Sequence, residues 1–257
     1  MTVGVLRDNI AIVLQRPRYP ENIGSAARAM CNMGFGRLIV VDPGIWDEER
    51  IRRLATHAAG SVVDAIERFD TLDEALAPFG HVVGTTARRG GQRPVVKSPE
   101  FLARSLVALS RNNPVAILFG PEDRGLTNED VKRCHQLVNI PTAAFTSLNL
   151  AQAVMVICYS LSVAGLSDPP AIVPRLAKRI ELDQMYDELT AILVDIGYIN
   201  PENPDYWMIR IRRFFTRVSL RAGEASIIRG ICRQIRRYGD RRFSEGMQAG
   251  KRDENAG

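Results

Sequence analysis

The segment ILFGPEDRGLTNED, from Ile117 to Asp130, passes from an apolar run into a loop that contains two glycines and a proline. Two other segments also begin as loops rich in Gly, Pro, Ser or Asn: PENIGSAARAM at Pro20–Met30 and IPTAAFTSLNLAQAV at Ile140–Val154. Both of these lead directly into a helical pattern. Open α/β sheets build their ligand sites from loops at the carboxyl ends of the strands. The three segments therefore predict one composite pocket whose parts are distant in sequence.

Around these segments, short apolar runs alternate with helical patterns. Near-continuous apolar runs of strand length occur at Ile10–Leu14, Leu38–Val41, Val82–Gly84, Val115–Phe119 and Leu137–Ile140. Such runs are typical of strands that are covered on both faces. Helical patterns occupy residues 22–33 and 98–111, the second with Ser98 as its N-cap, and a further helix is predicted to start at Thr127. The alternation predicts an α/β fold with a mostly parallel sheet and helices on both faces.

A break at Ser167-Asp168-Pro169-Pro170 ends this alternation. Beyond it the chain shows helical patterns alone, at residues 174–197, 206–222 and 224–238. The last of these carries an apolar stripe of Ile227, Ile228, Ile231 and Ile235. The sequence therefore predicts an α/β domain over residues 1–167, a basic helical extension over 168–242 and a disordered tail over 243–257.

Charge is distributed unevenly along the chain. The formal net charge is +5, but residues 208–242 hold eleven arginines against two acidic residues, Glu224 and Asp240. This asymmetry favours an anionic partner, such as a nucleic acid, for the C-terminal part. The alternative is a solvated helical face on which the arginine stems cover apolar surface.

Several classes of protein lack their expected residues here. The four cysteines form no CxxC pair and the three histidines have no metal-ligand spacing, so we expect free thiols in a reducing, cytoplasmic compartment and no metal. The N-terminus has no signal-peptide pattern. The longest apolar stretch, residues 150–166, is short for a membrane span and is interrupted by polar residues, which favours a buried helix. The sequence contains no GxGxxG after a strand, no GxxxxGK[ST], no HExxH and no GxSxG.

The three segments carry a specific family resemblance. PENIGSAARA at residues 20–29, FGPEDRGL at 119–126, and Ile140-Pro141 followed by SLNLA at 147–151 resemble, in order, spacing and strand context, the motifs of SPOUT-class RNA 2′-O-ribose methyltransferases of the TrmH superfamily. The TrmJ group is the most similar. The resemblance covers about residues 8–165, and the helical extension fits the general layout of that group without a motif of its own.

The resemblance implies properties that composition and periodicity do not show. It implies a deep trefoil knot in the C-terminal half of the α/β domain, S-adenosylmethionine as the methyl donor, and a homodimer whose active sites involve both chains. Matched to the family pattern, the donor-binding residues are Thr85, Thr86, Ala87, Gly120, Ile140, Thr146, Ser147 and Leu148. The small and apolar character of this set is consistent with an adenine slot that also offers backbone groups, and Gly84 and Gly120 would let a ligand approach closely.

Arg28 is the predicted catalytic residue, because it matches the arginine that the family is proposed to use on RNA phosphate and on the ribose 2′-hydroxyl. A guanidinium is almost never neutral, so we expect Arg28 to position phosphate and to stabilise developing alkoxide charge. Asn22 is expected either to bind ribose or to cap its helix, and Glu122 either to pair with an arginine or to lie on a solvated loop. Asn149 is expected to hold the knot loop or to touch the substrate. Further candidates for RNA contact are Ser25, Arg88 and Arg89.

The resemblance thus implies methyl transfer from S-adenosylmethionine to a ribose 2′-hydroxyl of tRNA, with cytidine or uridine 32 of the anticodon loop as the expected position. Ribosomal RNA or another tRNA position is the alternative within the enzyme class. An RNA-binding SPOUT protein without catalysis is the alternative from another class.

Overall fold

The computed structural model describes residues 3–87, 95–96, 98–143, 148–165 and 173–254. Within these ranges seven strands form one sheet: β1 (Ile10–Gln15), β2 (Arg37–Val41), β3 (Glu67–Phe69), β4 (His81–Thr85), β5 (Val95–Val96), β6 (Val115–Phe119) and β7 (Gln136–Val138). Their order is β3-β2-β1-β6-β4-β7-β5, and every pairing is parallel. The predicted parallel sheet is therefore confirmed, and the carboxyl ends of all strands lie at one edge.

Helices cover both faces of this sheet. They are α1 (Pro20–Asn32), α2 (Glu48–Ala55), α3 (Gly60–Asp64), α4 (Leu72–Leu76), α5 (Pro99–Leu109), α6 (Asn128–Lys132) and α7 (Leu150–Val163). Strand β1 shows the two sides, because Ile12 and Leu14 pack with α1, α5 and α7, whereas Val13 packs with α4. Successive strand residues point to opposite faces, so a continuous apolar run is what a doubly covered strand requires.

Local sequence signals fix several of the helix boundaries. The Ser98 side chain accepts a hydrogen bond from the Phe101 N–H at the start of α5, and Pro99 follows it. Thr127 and Asp130 form a capping box at the start of α6. Both predicted helix starts are confirmed. The sequence missed β3 and β5 because strands of two or three residues are too short to show a period.

The chain divides into two compact units, residues 1–179 and 180–257. The division lies later than the predicted boundary near residue 168. Residues 173–179 bond to the first unit: Leu176 N–H donates to Asn113 Oδ1 at 2.7 Å, and Arg179 N–H donates to the Phe79 carbonyl at 2.9 Å. These hydrogen bonds explain why the Pro-rich break is not the boundary between the units.

The second unit consists of α8 (Arg179–Asp195, of which Arg179 belongs to the first unit), α9 (Pro204–Val218) and α10 (Ala222–Glu254). Helix α10 continues into residues 243–254, for which the sequence predicts disorder. This stretch contains no proline, and ion pairs join Arg241 and Arg242 to Glu245 one turn away. The helical pattern therefore extends further than its apolar part.

Much of the isoleucine stripe of α10 is exposed. Ile227, Ile231 and Ile235 are 64%, 55% and 40% exposed, whereas Ala225 and Cys232 are buried. The buried side of α10 also presents Arg229 to Glu188 of α8. No helix among the described residues is long and apolar enough to cross a membrane.

Candidate functional site

Loops at the carboxyl edge of the sheet enclose a cavity of about 440 Å³. Loops after β4, β6 and β7 meet there because these strands are neighbours in the sheet. The lining residues are Thr85, Thr86, Ala87, Phe119, Gly120, Pro121, Glu122, Asp123, Arg124, Gly125, Leu126, Ile140, Leu148, Leu150 and Ala153. The structure thus brings together six of the eight predicted donor-binding residues. The other two, Thr146 and Ser147, lie outside the described residues, as do Arg88 and Arg89.

Gly120 accommodates the protein's own backbone. A Cβ atom on this residue would lie 2.3 Å from the Gly125 carbonyl carbon and 2.3 Å from the Leu126 nitrogen. The loop after β6 therefore folds back onto the strand end, and the Gly125 N–H donates to the Pro121 carbonyl at 2.9 Å. Gly120 also lines the cavity, as expected for the donor site, and the close contact on its Cβ side is with the protein's own backbone. Its role is to let the 120–126 loop close and form one wall of the cavity.

Gly84 also makes room for side chains of the protein. A Cβ atom here would lie 2.7 Å from Cys134 Sγ, with Leu126 and Leu137 next in distance. Gly84 consequently packs against the loop after β6 and against β7. The space that its missing side chain leaves is filled by the protein and not by a ligand.

The end of β4 is held by hydrogen bonds on both sides. The Thr85 hydroxyl donates to the Leu118 carbonyl at 3.1 Å, and the Thr86 N–H donates to the Val138 carbonyl at 2.9 Å. The Asn139 side-chain amide donates to the Thr86 carbonyl at 2.9 Å. Both backbone polar groups of Thr86 are therefore engaged within the protein. The end of β4 and the loop after it therefore form a cavity wall of fixed shape, and this wall carries the half-exposed Thr85 and Thr86 side chains.

A polar network beside the cavity joins all three opening segments. Asn22 Nδ2 donates to Glu122 Oε1 at 2.6 Å, and Asn149 Nδ2 donates to Asn22 Oδ1 at 3.0 Å. The second carboxylate oxygen of Glu122 accepts from the Arg18 N–H at 3.0 Å. A groove of about 570 Å³ runs over this network and shares Glu122 and Leu148 with the cavity. The composite pocket that the sequence predicts is thus supported by direct bonds.

The network shows which contacts its members make within this chain. Asn22 does not cap α1, because the N-cap position is Tyr19 and Asn22 lies within the helix. Glu122 bonds a backbone amide and an asparagine rather than an arginine side chain. Asn149 is the N-cap of α7, where its Oδ1 accepts from the N–H groups of residues 151 and 152.

Arg28 lies apart from these features in the same chain. It is exposed on α1, about 9 Å along the helix axis from Asn22, and it lines neither the cavity nor the groove. The side chain of Arg28 has no hydrogen bond or ion pair with the described residues. Ser25, one turn earlier, is half-buried. Among the described residues of this chain, Arg28 therefore does not line the cavity that holds the predicted donor-binding residues.

Most charges near the network are paired. The hydrogen bond from Arg124 holds the pKa of Asp123 below its ordinary value, and Arg18 reaches the same carboxylate at 2.8 Å. A backbone hydrogen bond, followed by one from Arg50, lowers the pKa of Glu21. These carboxylates are ionised at neutral pH. The bond between Asp123 and Arg18 ties the loop after β6 to the loop after β1.

The fold and the site define a class. A parallel sheet whose carboxyl-edge loops close a partly apolar cavity, with an amide and carboxylate network beside it, is the architecture of a SPOUT-class methyltransferase. Residues 9–159 match the SpoU rRNA methylase family, and residues 180–246 match the C-terminal domain of the tRNA methyltransferase TrmJ. The chain belongs to the SpoU methylase family and, within it, to the TrmJ group.

Similar proteins cover nearly the whole chain. The tRNA (cytidine/uridine/adenosine-2′-O-)-methyltransferase TrmJ of Pseudomonas aeruginosa is 37% identical, over 87% of this chain and 92% of that protein. The tRNA (cytidine/uridine-2′-O-)-methyltransferase TrmJ of Cronobacter sakazakii is 36% identical, over 88% and 96%. The crystal structure of TrmJ from Z. mobilis ZM4 superposes with a TM-score of 0.76 at 34% identity, over 88% of this chain and 98% of that chain.

Proposed function

We propose that this protein transfers a methyl group from S-adenosylmethionine to a ribose 2′-hydroxyl of tRNA in the cytoplasm. The expected acceptor is cytidine or uridine at position 32 of the anticodon loop. The observation that carries the proposal is the convergence of the three motif segments on one cavity, linked through Asn22, Glu122 and Asn149. The names of the relatives support tRNA as the substrate and cytidine or uridine as an acceptor, and the Pseudomonas aeruginosa relative is named for adenosine as well.

The cavity suits the methyl donor of this family. Its volume falls within the ordinary range for small-molecule sites. Apolar side chains of Leu126, Ile140 and Leu148 offer walls for an adenine ring, and the carboxylates of Glu122 and Asp123 lie on the same lining. Asp123 is balanced by Arg18 and Arg124, so Glu122 is the carboxylate that favours a cationic sulfonium and an amino group. When bound, S-adenosylmethionine supplies an electrophilic methyl group on a good leaving group.

The chain's own contribution is alignment and charge. The network of Asn22, Glu122 and Asn149 fixes the groove beside the cavity, where the ribose would lie. Holding the 2′-oxygen in line with the methyl carbon supplies much of the acceleration in such a displacement. Arg28 binds the adjacent phosphate and stabilises negative charge as it develops on the 2′-oxygen. The hydroxyl proton would pass from the same oxygen to solvent water, so no step requires a neutral guanidinium.

The proposal includes a homodimer in which Arg28 of one protomer serves the cavity of the other. Arg28 is exposed and lines neither the cavity nor the groove of its own chain, which supports a composite site. It also includes a knot in the C-terminal half of the α/β domain. The flanking of β4 by β6 and β7, two later strands, supports a chain path in which the segments around the cavity cross.

The test uses the full-length protein, calorimetry with S-adenosylmethionine, and mass-spectrometric mapping of ribose methylation on transcribed tRNA. We expect donor binding, and methylation at nucleotide 32 that a 2′-deoxy nucleotide at that position abolishes. Methylation elsewhere on tRNA or on ribosomal RNA would replace the proposed position. Undetectable donor binding would leave the non-catalytic RNA-binding alternative.

The Arg28→Ala variant separates catalysis from donor binding. We expect turnover to fall by roughly two to three orders of magnitude, the loss typical when a transition-state charge partner is removed. Donor affinity should stay nearly unchanged, because the role proposed for Arg28 is toward the RNA phosphate and the 2′-oxygen and not toward the donor. Normal turnover by this variant would contradict the catalytic assignment.

A further inference from the structure

A second surface lies at the carboxyl edge of the sheet, beyond the groove. We call it the aromatic–arginine surface and define it as Arg16, Arg18, Tyr19, Ile45, Trp46 and Arg68. It is formed by the loops that follow β1 and β2 and by a residue of β3. Tyr19 and Ile45 are 51% and 52% exposed. Tyr19 also lines the groove over the polar network, so the surface continues directly from the proposed acceptor site.

Backbone contacts join the parts of this surface. The Gly44 N–H donates to the Pro17 carbonyl at 3.0 Å. A Cβ atom on Gly44 would lie only 3.7 Å from the Cα atom of Arg18. The loop after β2 therefore packs directly on the loop after β1, and Tyr19 and Ile45 are held on neighbouring segments.

Trp46 and Arg68 form a stacked pair at the far end of the surface. The Arg68 guanidinium lies 4.2 Å from the centre of the Trp46 ring, and the indole packs on the hydrophobic core. The side chain of Arg68 is exposed and has no hydrogen bond or ion pair with the described residues. The Trp46 ring thus holds the planar Arg68 guanidinium in place from the core side, and the opposite face of the guanidinium is exposed to solvent. A planar guanidinium of this kind is a surface on which a nucleobase stacks.

The neighbouring charges are positive but partly balanced. Arg16 pairs with Asp42 at 3.5 Å, and Arg18 pairs with Asp123 at 2.8 Å. Arg16 and Asp42 both adopt left-handed backbone conformations, with φ of 49° and 45°. Such conformations are unfavourable for residues other than glycine. They place Arg16 and its partner Asp42 just after the neighbouring strands β1 and β2, at the carboxyl edge of the sheet.

From these observations we propose that the aromatic–arginine surface binds unpaired nucleotides next to the methylated ribose. The inference rests on the proposed function for the identity of the acceptor as RNA. Aromatic rings and guanidinium planes stack bases only when those bases are unpaired, whereas duplex RNA hides them. The arginines suit phosphate, and exposed apolar area is limited to Tyr19 and Ile45, so the surface fits RNA better than a protein. The surface therefore selects a single-stranded loop.

The experiment measures binding of the full-length protein to two labelled RNAs by fluorescence anisotropy. One is a hairpin with a seven-nucleotide loop, and the other is a perfect duplex with the same number of nucleotides. The variants are Tyr19→Ala and Arg68→Ala. Arg111→Ala is the matched control, because it removes the same charge from an exposed arginine that follows α5 at the opposite, amino edge of the sheet.

We expect each of the two variants to bind the hairpin roughly five- to tenfold more weakly, which is the loss typical of one removed stacking partner. Tyr19→Ala should leave duplex binding unchanged, and Arg111→Ala should bind both RNAs like the wild type. In Arg68→Ala, which lies outside the groove, the KM for tRNA should rise by the same factor as the hairpin Kd, while kcat and the donor Kd stay constant.

The proposal is overturned if the wild type does not bind the hairpin, if both variants bind it normally, or if Arg111→Ala weakens binding as much as Arg68→Ala. Donor calorimetry on the wild type keeps this outcome separate from the proposed function. Absent donor binding with a selective loss of hairpin binding would contradict the enzyme and support the surface. Normal methylation with an unchanged KM for tRNA in both variants would support the enzyme and contradict the role of the surface.

Discussion

Glu122 shows how one side chain can organise a site without being free to react. Its two carboxylate oxygens accept from the Asn22 amide and from the Arg18 backbone, and Asn22 in turn accepts from Asn149. Hydrogen bonds to an ionised acceptor are stronger than neutral ones. Loss of this carboxylate would therefore loosen all three motif segments together, so a Glu122 variant cannot by itself identify a chemical role.

Gly120 is the residue at which a single methyl group should matter most. Gly120→Ala places a Cβ atom against the backbone of residues 125–126. We expect the loop after β6 to move, a loss of roughly 1–3 kcal/mol in the free energy of unfolding, and weaker donor binding. Gly36→Ala is the control, because a Cβ there meets nothing within 4 Å. Urea denaturation and donor calorimetry measure both effects, and equal behaviour of the two variants would contradict the role assigned to Gly120.

His81 should make stability depend on pH. Burial lowers its pKa from 6.5 to about 4, and among the described residues neither ring nitrogen has a hydrogen-bond partner. As pH falls from 6.5 toward 4, the unfolded chain takes up a proton that the folded chain does not, so stability falls. The loss at pH 5 should be about 2 kcal/mol, from about 1.4 kcal/mol for each pKa unit.

His81→Phe tests this linkage by urea denaturation at pH 7.5 and pH 5.0. The variant should lose much of the pH dependence. His57→Asn, at an exposed histidine, should keep the wild-type dependence. The stacked neighbour His135 stays in place in both, with Nδ1 accepting from the Val82 N–H. An unchanged slope in His81→Phe would show that another group is responsible.

At the scale of elements, the second unit sorts its arginines by helix face. Arg212, Arg229, Arg233 and Arg236 lie within 4 Å of carboxylates on α8. Arg210, Arg213 and Arg217 follow one another by three and four positions on the exposed side of α9, and these three form no ion pair with the described residues. The two interpretations of the basic region therefore apply to different arginines: one group stabilises the unit, and the other is available to an anionic partner.

The exposed group on α9 gives an element-scale prediction. Replacing Arg210, Arg213 and Arg217 together by Gln should weaken tRNA binding and reduce the slope of log K against log salt by up to about 2.7, because each phosphate contact contributes about 0.9. Arg229→Gln is the control: it should lower the thermal stability of the second unit and change the salt slope much less. Filter binding over a salt series measures the slope. An unaltered slope in the triple variant would assign these arginines to solvent alone.

At the scale of the whole molecule, the separation of Arg28 from the cavity gives a prediction about the dimer. Arg28→Ala and Ile140→Arg, which places a charge in the cavity wall, should each be inactive. A mixture of the two after subunit exchange should recover roughly a quarter of wild-type activity, because half of the dimers would hold one intact composite site. Single-turnover methylation of tRNA measures the recovery. A mixture that stays inactive while the heterodimer forms would place Arg28 and the cavity in the same chain.

Much of the fold could be read from local patterns. The strands β1, β2, β4, β6 and β7 are near-continuous apolar runs, and Ser98 and Thr127 are N-caps whose side chains satisfy nearby backbone amides. Local patterns could not predict the short strands β3 and β5, since a strand of two or three residues shows no period. They also could not predict that isoleucines of α10 are exposed, because an apolar stripe in the sequence does not show whether other residues cover it. The break at residues 167–170 also did not mark the division of the units, because long-range bonds of Asn113 decide it.

The sequence by itself determined the class of the fold, the three loop segments and the family, because these depend on residue types and spacing along the chain. Tertiary structure alone decided what each site residue contacts. It showed that Gly120 receives the protein's own backbone, that Asn22 bonds Glu122 instead of capping a helix, and that Arg28 stands apart from the cavity of its own chain. The physical reason is that strand order brings distant loops to one edge of the sheet, and only there do their side chains find partners.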